Sequence, residues 1–335
     1  MDFLKDIIDE IGDDFTKLAD EITSVEESID TGSYIFNGLC SGSIFGGFSS
    51  NRITAIAGEN STGKTYFSLA VVRNFLDNNP LASVLYFDTE SSINRALLES
   101  RGIDLKRFVV INVVTIEQFR SKALKAVDKY LKMPESDRQP CMLVLDSLGM
   151  LSTEKEITDV LNDKQVRDMT KSQLVKGAFR MLTLKLGQAN IPLIVTNHTY
   201  DVIGSYVPTK EMGGGSGLKY AASTIIYLSK KKEKDGKEVI GNIIKAKTHK
   251  SRLSKENKQV EIRLYYDDRG LDRYYGLLEL GEIGGLWKNV AGRYEINGKK
   301  IYAKQILAEP DTYFTPEVMQ ALDEIAKKEF SYGES

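Results

Sequence analysis

The sequence predicts an α/β protein with a mainly parallel central sheet. Short apolar runs typical of strands alternate with longer helical patterns, which is the arrangement of βαβ units. The first of these runs leads into GENSTGKT at 58–65, a phosphate-binding pattern that follows a strand and opens a helix. The last three strand-like runs are closely spaced, as antiparallel strands at a sheet edge are. With 335 residues, 41% of them hydrophobic, the chain can bury this core and one smaller domain.

The individual elements follow in order along the chain. Residues 4–22 carry apolar residues at helical spacing, and residues 34–39 are mixed. Further helices are predicted at 64–77, 92–101, 116–132 and 168–189. Strands are predicted at 52–57, 83–88, 108–113, 141–146, 192–197, 223–229, 239–247 and 258–267. Residues 134–140 are predicted to form a loop, and Asp235-Gly236 is a turn signal between two strands.

The motif GENSTGKT fills every fixed position of the G-x-x-x-x-G-K-[ST] pattern. Its glycines let backbone N–H groups close around phosphates, Lys64 would reach the β- and γ-phosphates, and the Thr65 hydroxyl would bind Mg²⁺. We therefore expect ATP and Mg²⁺ as cofactors. The predicted nucleotide-binding residues are Gly58, Glu59, Asn60, Ser61, Thr62, Gly63, Lys64, Thr65 and Tyr66.

Carboxylates end two of the predicted strands. CMLVLD at 141–146 places Asp146 at the carboxyl edge of the sheet, where it can hold Mg²⁺ opposite Thr65, through water. YFDTE at 86–90 ends in two acids, one of which could orient an attacking water. The alternative, a group that caps the following helix, suits Asp88 and Thr89 better than Glu90.

A glycine-rich segment follows the predicted strand at 192–197. It begins at Asn197-His198, and four of the residues from Gly213 to Gly217 are glycine. We expect this segment to be mobile until a ligand orders it, because glycine loses much conformational freedom on ordering. A loop that starts beside the γ-phosphate could report the nucleotide state to a ligand at its far end. The alternative is that His198 is a histidine at the end of a strand and has no functional role.

Composition limits the classes of protein that this chain can belong to. Cys40 and Cys141 have no metal-ligand spacing and form no disulfide framework. No run approaches a membrane span, and the acidic start MDFLKDIIDEIGDD is unlike a targeting peptide, so a cytoplasmic protein is expected. The net charge of −2 gives no reason to expect a polyanion partner, so any contact with nucleic acid must be local. The lysine run KKKEKDGK is interpreted as a solvated hairpin tip.

Several motifs in a fixed order resemble the RecA-like recombinases, most closely their phage branch of UvsX-type recombinases. They include SIDTGSYIFNGL, GENSTGKT, YFDTE, LVLDSLG, TNHTY, MGGGSGLKYAAS and KSR. The resemblance implies a RecA-like P-loop ATPase core with a small N-terminal oligomerisation segment (1–35), a core at 36–270 and a small α+β C-terminal domain (271–335). It also implies an ATP-dependent DNA recombinase that forms filaments on single-stranded DNA, pairs it with homologous double-stranded DNA and exchanges strands in recombination, repair and recombination-dependent replication.

The resemblance also assigns roles to residues. Glu90 falls on the catalytic glutamate, and His198 on the residue that senses the γ-phosphate. Lys250 and Arg252 match cations that reach the ATP of the neighbouring subunit, which makes them catalytic residues of a shared site. Segments 154–167 and 199–212 correspond to two DNA-binding loops, and 22–35 would include the strand by which one protomer packs on the next. The implied partners are DNA, further copies of the chain, and single-strand-binding and mediator proteins, and the implied location is the cytoplasm of a phage-infected cell.

The sequence departs from the family pattern at three places. Leu97 stands where bacterial members stack a tyrosine on adenine, so the residue that recognises the base is left open. The phosphate-loop acid, Glu59, comes one residue early, and the acidic C-terminal tail of the phage branch is nearly absent. Two alternatives remain: a ring ATPase of the hexameric helicase kind, and a small-molecule kinase, which would need an arginine-bearing lid.

Overall fold

A computed structural model describes residues 2–12, 16, 18–19, 28–163, 170–201, 210–235, 238–296 and 298–333. The strands are β1 (Ser28–Ile29), β2 (Phe48–Ser49), β3 (Ile53–Gly58), β4 (Ser83–Asp88), β5 (Phe108–Asn112), β6 (Cys141–Asp146), β7 (Leu193–Asp201), β8 (Lys210–Met212), β9 (Thr224–Asp235), β10 (Glu238–Ser251), β11 (Gln259–Tyr265), β12 (Lys288–Val290), β13 (Arg293–Ile296) and β14 (Lys299–Tyr302).

The helices alternate with the strands through the first two thirds of the chain. They are α1 (Asp2–Ile11), α2 (Tyr34–Ser41), α3 (Lys64–Asn78), α4 (Arg95–Ser100), α5 (Ile116–Leu131), α6 (Glu154–Leu161), α7 (Lys171–Ala189), α8 (Ser216–Ala221), α9 (Leu277–Ile283), α10 (Ala303–Ala308), α11 (Pro310–Tyr313) and α12 (Pro316–Phe330). Among the described residues, none of these helices has the length and apolar character needed to cross a bilayer.

The central sheet has the strand order β11-β10-β9-β3-β7-β6-β4-β5, and β8 pairs with the end of β7. Strands β9, β3, β7, β6, β4 and β5 run parallel to one another, whereas β10 and β11 are antiparallel additions. The predicted α/β class, with a mainly parallel sheet and an antiparallel edge, is therefore confirmed. Because parallel strands end at one edge, the residues that follow β3, β4, β6 and β7 converge there.

Two hydrophobic layers cover the sheet. Alternate residues of β6 belong to different layers: Met142 and Val144 to one, Leu143 and Leu145 to the other. The first layer joins the sheet to α2, α3 and the C-terminal helices, and the second joins it to α5 and α7. A strand buried on both faces must be apolar throughout, which explains the continuous run CMLVL before Asp146.

The structure differs from the predicted elements at several boundaries. Helix α4 starts at Arg95 rather than at residue 92, because the Asn94 side chain accepts the N–H of Leu97 and caps the helix. Strands β9 and β10 extend to Asp235 and Ser251, well beyond their apolar runs. Helix α1 stops at Ile11, followed by Gly12 at φ +60°, and much of the remaining predicted helix lies outside the described residues.

The glycine-rich stretch that we expected to be mobile is packed against α7. Gly214 and Gly215 have φ angles of +83° and +74°, which favour glycine. At Gly217 a Cβ atom would lie 2.7 Å from the backbone nitrogen of Lys176, so a larger residue would push α8 away from α7. The glycines therefore serve a close helix contact, which composition alone does not reveal.

The C-terminal region combines a three-stranded antiparallel sheet, β12–β14, with α10, α11 and α12. Its last helix packs on the core: the buried Asp323 carboxylate accepts hydrogen bonds from the Ser43 hydroxyl (2.6 Å) and the Ile44 N–H (2.9 Å). Leu322 and Phe330 share the first hydrophobic layer with Phe36 and Leu39. The division into segments 1–35, 36–270 and 271–335 stays a prediction.

Candidate nucleotide-binding site

The phosphate-binding loop connects β3 to α3 at the carboxyl edge of the sheet. Gly63 caps the helix in the left-handed region at φ +90°, where a side chain would be strained. At Gly58 a Cβ atom would lie 2.8 Å from Thr62 Oγ1 and 2.9 Å from the carbonyl oxygen of Leu228. Both glycines are thus required by backbone conformation and close packing, and the loop leaves the first N–H groups of α3 available to an anion.

Lys64 is a buried cation at the base of this loop. Its Nζ atom donates to the carbonyl oxygens of Gly58 (3.1 Å) and Glu59 (2.9 Å) and lies 3.4 Å from His198 Nδ1. Burial lowers the pKa of Lys64, whereas the carboxylates of Asp146 and Glu90 act in the opposite direction. Further negative charge beside this amine would favour its protonated form, so the site suits a polyphosphate.

The Asp146 carboxylate, at the end of β6, accepts hydrogen bonds from three hydroxyl groups. Its Oδ2 atom accepts from Thr65 (2.7 Å) and Tyr86 (2.6 Å), and Oδ1 accepts from Thr196. Burial and the negative charge of Asp146 hold the pKa of Tyr86 well above its usual range. A carboxylate and a hydroxyl in contact form an oxygen donor set that would suit Mg²⁺, and the assignment of Thr65 and Asp146 as its ligands stays a prediction.

Glu90, Ser147 and His198 form a polar cluster beside Lys64. The Ser147 hydroxyl donates to Glu90 Oε1 at 3.0 Å and lies 3.4 Å from His198 Nε2. His198 Nε2 lies 3.5 Å from Glu90 Oε1. The histidine ring therefore lies between Lys64 on one side and Glu90 on the other. The sequence singled out Glu90 and His198, but not Ser147, although it follows directly after Asp146 in LVLDSLG.

Other predicted residues near the loop have structural contacts. The buried Asp88 carboxylate accepts the N–H groups of Glu90 (3.0 Å) and Ile93 (3.0 Å), so it orders the turn before α4, whereas the helix itself is capped by Asn94 and not by Asp88. The Tyr66 ring packs under the Arg101 guanidinium at 4.2 Å, so the group that Tyr66 offers to a phosphate is its backbone N–H. Leu97 is partly buried against the first hydrophobic layer.

The remaining members of the loop lie on its outer side. Glu59, Asn60 and Ser61 are exposed, whereas Thr62 is buried and donates from Oγ1 to the Glu59 carbonyl at 2.8 Å. Two lysines from other segments contact these outer residues: Lys210 of β8 pairs with the Glu59 carboxylate, and Lys230 of β9 donates to the Ser61 carbonyl. Neither lysine was predicted, because β8 has only three residues and the lysine run of β9 was interpreted as a solvated tip.

Lys250 and Arg252 lie at the opposite edge of the sheet from Lys64. Lys250 pairs with Ile225 at the start of β9, while the phosphate loop leaves β3 where Gly58 pairs with Leu228. Those three residues along β9 amount to roughly 10 Å. Lys250 Nζ donates to the carbonyl oxygens of Lys219 (2.7 Å), Tyr220 (3.3 Å) and Ala222 (2.8 Å) at the end of α8, and burial lowers its pKa. The structure therefore does not bring these two cations to the phosphate loop of the same chain.

The predicted DNA-binding and packing segments are described only in part. Helix α6 covers the start of 154–167, and residues 164–167 lie outside the described residues. Strands β7 and β8 pair at the base of 199–212, and 202–209 lie outside. Of 22–35, the described part includes β1, which pairs with β2 of its own chain, and 22–27 lie outside.

Comparison with known proteins yields one family. The sequence model of the RecA N-terminal domain matches residues 2–272. The chain is similar to the recombination and repair protein of Enterobacteria phage T4, with 34% identity over 261 residues that cover 78% of this chain and 65% of that protein, just under two thirds. It is also similar to Protein RecA of Colwellia psychrerythraea, with 28% identity over 303 residues that cover 88% of this chain and 83% of that protein. Protein RecA of an Arthrobacter species is 26% identical over 319 residues, 95% of this chain and 86% of that protein.

Proposed function

This chain belongs to the RecA family, and on that premise we propose that it is an ATP-dependent DNA recombinase. It would assemble on single-stranded DNA as a filament, pair that strand with homologous duplex and exchange strands. The phage relative named for recombination and repair supports this proposal. Its setting would be the cytoplasm of an infected cell, with single-strand-binding and mediator proteins as further partners.

The chemistry at the site would be hydrolysis of ATP. Lys64 would follow the γ-phosphate, and Thr65 and Asp146 would hold Mg²⁺, which neutralises phosphate charge when bound. The Glu90 carboxylate lies 3.5 Å from His198 Nε2 and is partly exposed, so a water can reach it. The Ser147 hydroxyl would keep the Glu90 carboxylate turned toward the site.

The main support for coupling between ATP and DNA is the position of His198. Its ring lies between Lys64 and Glu90, and its backbone opens the hairpin formed by β7 and β8. The carbonyl oxygen of His198 accepts the N–H of Gly213 at 3.0 Å, and the Asn197 side chain donates to the Gly213 carbonyl at 2.8 Å. A change at the γ-phosphate would therefore move the base of segment 199–212, the proposed DNA-binding loop.

A cationic face on the antiparallel part of the sheet supports a contact with DNA. Lys231, Lys245 and Lys247 are exposed and lie on one face of the β9–β10 ladder, where Lys231 is opposite Ile243 and Lys247 is opposite Tyr227. On the same ladder the rings of Tyr227 and His249 stack at a centroid distance of 4.6 Å. Lysines beside an aromatic stack suit a nucleic-acid backbone with unpaired bases. Each protomer would contribute modestly, and a filament would multiply the contribution.

Two apolar surfaces that are exposed in the described part of the chain support assembly of several copies. Strand β5 is the last strand of the sheet, and its Val109 and Val110 are 49% and 40% exposed. Helix α1 exposes Phe3, Leu4, Ile7 and Ile11, which share one helical face. An open edge strand with exposed valines is a template for pairing with another chain. Lys250 and Arg252, which lie at the opposite end of the strands from the phosphate loop, would then reach the nucleotide of an adjacent copy.

The proposal is tested by three measurements on one preparation. ATP turnover is measured with and without single-stranded DNA, the particles are imaged by negative stain, and exchange is followed with a labelled strand and a homologous or unrelated duplex. Lys64→Ala serves as the inactive control. We expect DNA-stimulated turnover, open filaments and exchange that requires homology. Closed rings without exchange would support the ring ATPase. Monomers whose turnover is not changed by DNA would contradict both the recombinase and the ring ATPase.

A further inference from the structure

The phosphate loop is joined to both ends of segment 199–212. At the first end, His198 lies 3.4 Å from Lys64. At the second end, Lys210 is the first residue of β8, and its amine pairs with the Glu59 carboxylate. Strands β7 and β8 are themselves paired, with Asp201 opposite Lys210 and Thr199 opposite Met212. The base of the segment is therefore a short hairpin with one contact to the loop from each strand.

The second contact has a distinct electrostatic role. Glu59 places a negative charge in a loop whose ligand carries several negative charges, and like charges at this distance repel. Pairing with Lys210 neutralises that carboxylate. Bound phosphates would in turn attract Lys210, so nucleotide and the paired arrangement of β8 favour each other. Both side chains are half-exposed, at 46% for Lys210 and 58% for Glu59, so the pair can form and break at little cost to the fold.

We propose that the Glu59–Lys210 ion pair is a second link, separate from His198, through which nucleotide occupancy sets the position of the β7–β8 pairing at the base of segment 199–212. Lys210 is in this view a positioning residue: it holds the end of the hairpin against the phosphate loop when nucleotide is bound. This inference rests on the proposed function, because it needs a nucleotide in the loop and DNA at the segment. By linkage, DNA that favours the paired arrangement raises nucleotide affinity by the same factor.

The test is a double-mutant cycle on the coupling between nucleotide and DNA. Dissociation constants for a labelled single strand are measured by fluorescence anisotropy with a non-hydrolysable ATP analogue and with ADP. The ratio of the two constants is the coupling factor of each protein. We expect Glu59→Gln and Lys210→Gln each to lower this factor about three- to five-fold, the upper part of the range of an exposed ion pair. The double variant should lose no more than either single variant, because the two residues act through one contact.

A neighbouring ion pair provides the matched control. Glu211, next to Lys210 on β8, pairs with Lys219 of α8 at 3.4 Å and has no contact with the phosphate loop among the described residues. Lys219→Gln removes one lysine charge close to the hairpin and should leave the coupling factor within two-fold of wild type. Circular dichroism of every variant checks that the fold is retained.

Three results would overturn the inference. If Lys210→Gln weakened DNA binding equally with both nucleotides while Glu59→Gln had no effect, Lys210 would be a simple phosphate contact. Additive losses in the double variant would show that the two residues act independently. A loss in Lys219→Gln as large as in Lys210→Gln would assign the effect to charge near the hairpin. Failure of the proposed function itself is distinguishable, since the wild-type protein would then bind no DNA or bind it equally with both nucleotides.

Discussion

The hydroxyl of Ser147 donates a 3.0 Å hydrogen bond to the carboxylate of Glu90, although the two residues follow different strands of the sheet. Ser147 comes directly after Asp146 at the end of β6, and Glu90 comes two residues after the end of β4. The bond exists because β4 and β6 are adjacent and parallel, with Asp88 opposite Asp146. It ties the carboxylate that would orient water to the strand that would hold Mg²⁺.

Substitutions of Glu90 and of Ser147 distinguish the residue that would act on water from the residue that positions it. Glu90→Gln keeps the shape but removes the carboxylate, so we expect nucleotide binding to persist while turnover falls by about 10²- to 10⁴-fold. Ser147→Ala removes only the hydrogen bond that holds the Glu90 carboxylate, so turnover should fall by less than about ten-fold. Steady-state ATPase assays and binding of a fluorescent nucleotide measure both quantities. Normal turnover in Glu90→Gln would remove this residue from the catalytic assignment.

Arg252 tests whether the active site is shared between subunits. Arg252→Ala should abolish DNA-stimulated ATPase without changing the melting temperature, because the exposed side chain lies at the sheet edge opposite the phosphate loop. Mixing it with Lys64→Ala protein should restore part of the activity, since some interfaces then combine an intact loop with an intact arginine. Lys250→Ala is a less clean variant, because its amine holds three carbonyl oxygens of its own chain and its loss should lower stability by about 1–3 kcal/mol. An absence of complementation at every mixing ratio would argue for a role within one chain or for none.

The cationic face of β10 should determine the salt dependence of DNA binding. Lys245→Ala and Lys247→Ala each remove an exposed cation, so the slope of log K against log salt should become shallower by about one for every phosphate that the protein no longer neutralises. The matched control is Lys299→Ala, an exposed lysine of β14 in the C-terminal sheet. Titrations at several salt concentrations measure the slopes. Equal slopes in all four proteins would show that this face does not touch DNA.

Strand β5 should be the surface on which filament assembly depends. Val110→Lys places a charge on the open edge and should reduce filament length strongly, while the stability of the protomer changes by only about 0.5 kcal/mol, as for other exposed positions. Val110→Thr keeps the β-branched shape and serves as the control. Light scattering and negative-stain images report the assembly. Filaments of normal length in Val110→Lys would exclude this edge as the contact.

The loop after His198 should carry the effect of ATP on DNA binding. Replacing residues 202–210 by a Gly/Ser linker should sharply weaken binding of single strands and abolish DNA stimulation, because it removes the proposed contact. His198→Ala should leave weak DNA binding but remove its dependence on nucleotide. Anisotropy titrations with ATP analogue, with ADP and without nucleotide separate these effects. Tight binding by the linker protein in all three states would shift the DNA contact to residues 154–167 or favour the ring ATPase.

A local pattern and one general rule were sufficient to predict where some residues of the candidate site lie. Lys64 and Thr65 belong to a contiguous motif, and Asp146 follows from the rule that parallel strands end at one edge. Contacts that depend on tertiary packing were not predictable in this way. Tyr86 and Thr196 lie inside strands, and only the order β7-β6-β4 brings their hydroxyls to Asp146.

The boundaries of β9 show a second limit of sequence patterns. The strand was predicted from the apolar run at 223–229, yet it continues through the charged run KKKEKD to Asp235. Apolar periodicity marks strands that face a core, whereas this extension is held by pairing with β10, with Glu233 opposite Gly241. A charged strand that is held by hydrogen bonds to its neighbour carries no apolar signal of its own, so the length of the hairpin and the reach of Lys230 to the phosphate loop could not be predicted.

The phosphate loop and Arg252 lie at opposite ends of the strands of one sheet, so each protomer has two different faces. Copies in which Arg252 of one protomer meets the nucleotide of the next would be stacked head to tail, and such a stack has two chemically different ends. The subunit at one end would hold a nucleotide that no neighbouring arginine contacts, and the subunit at the other end would present an arginine that contacts no nucleotide. Addition and departure of subunits would then proceed at unequal rates at the two ends. The direction in which the stack advances along a DNA strand would follow from the orientation of a single chain.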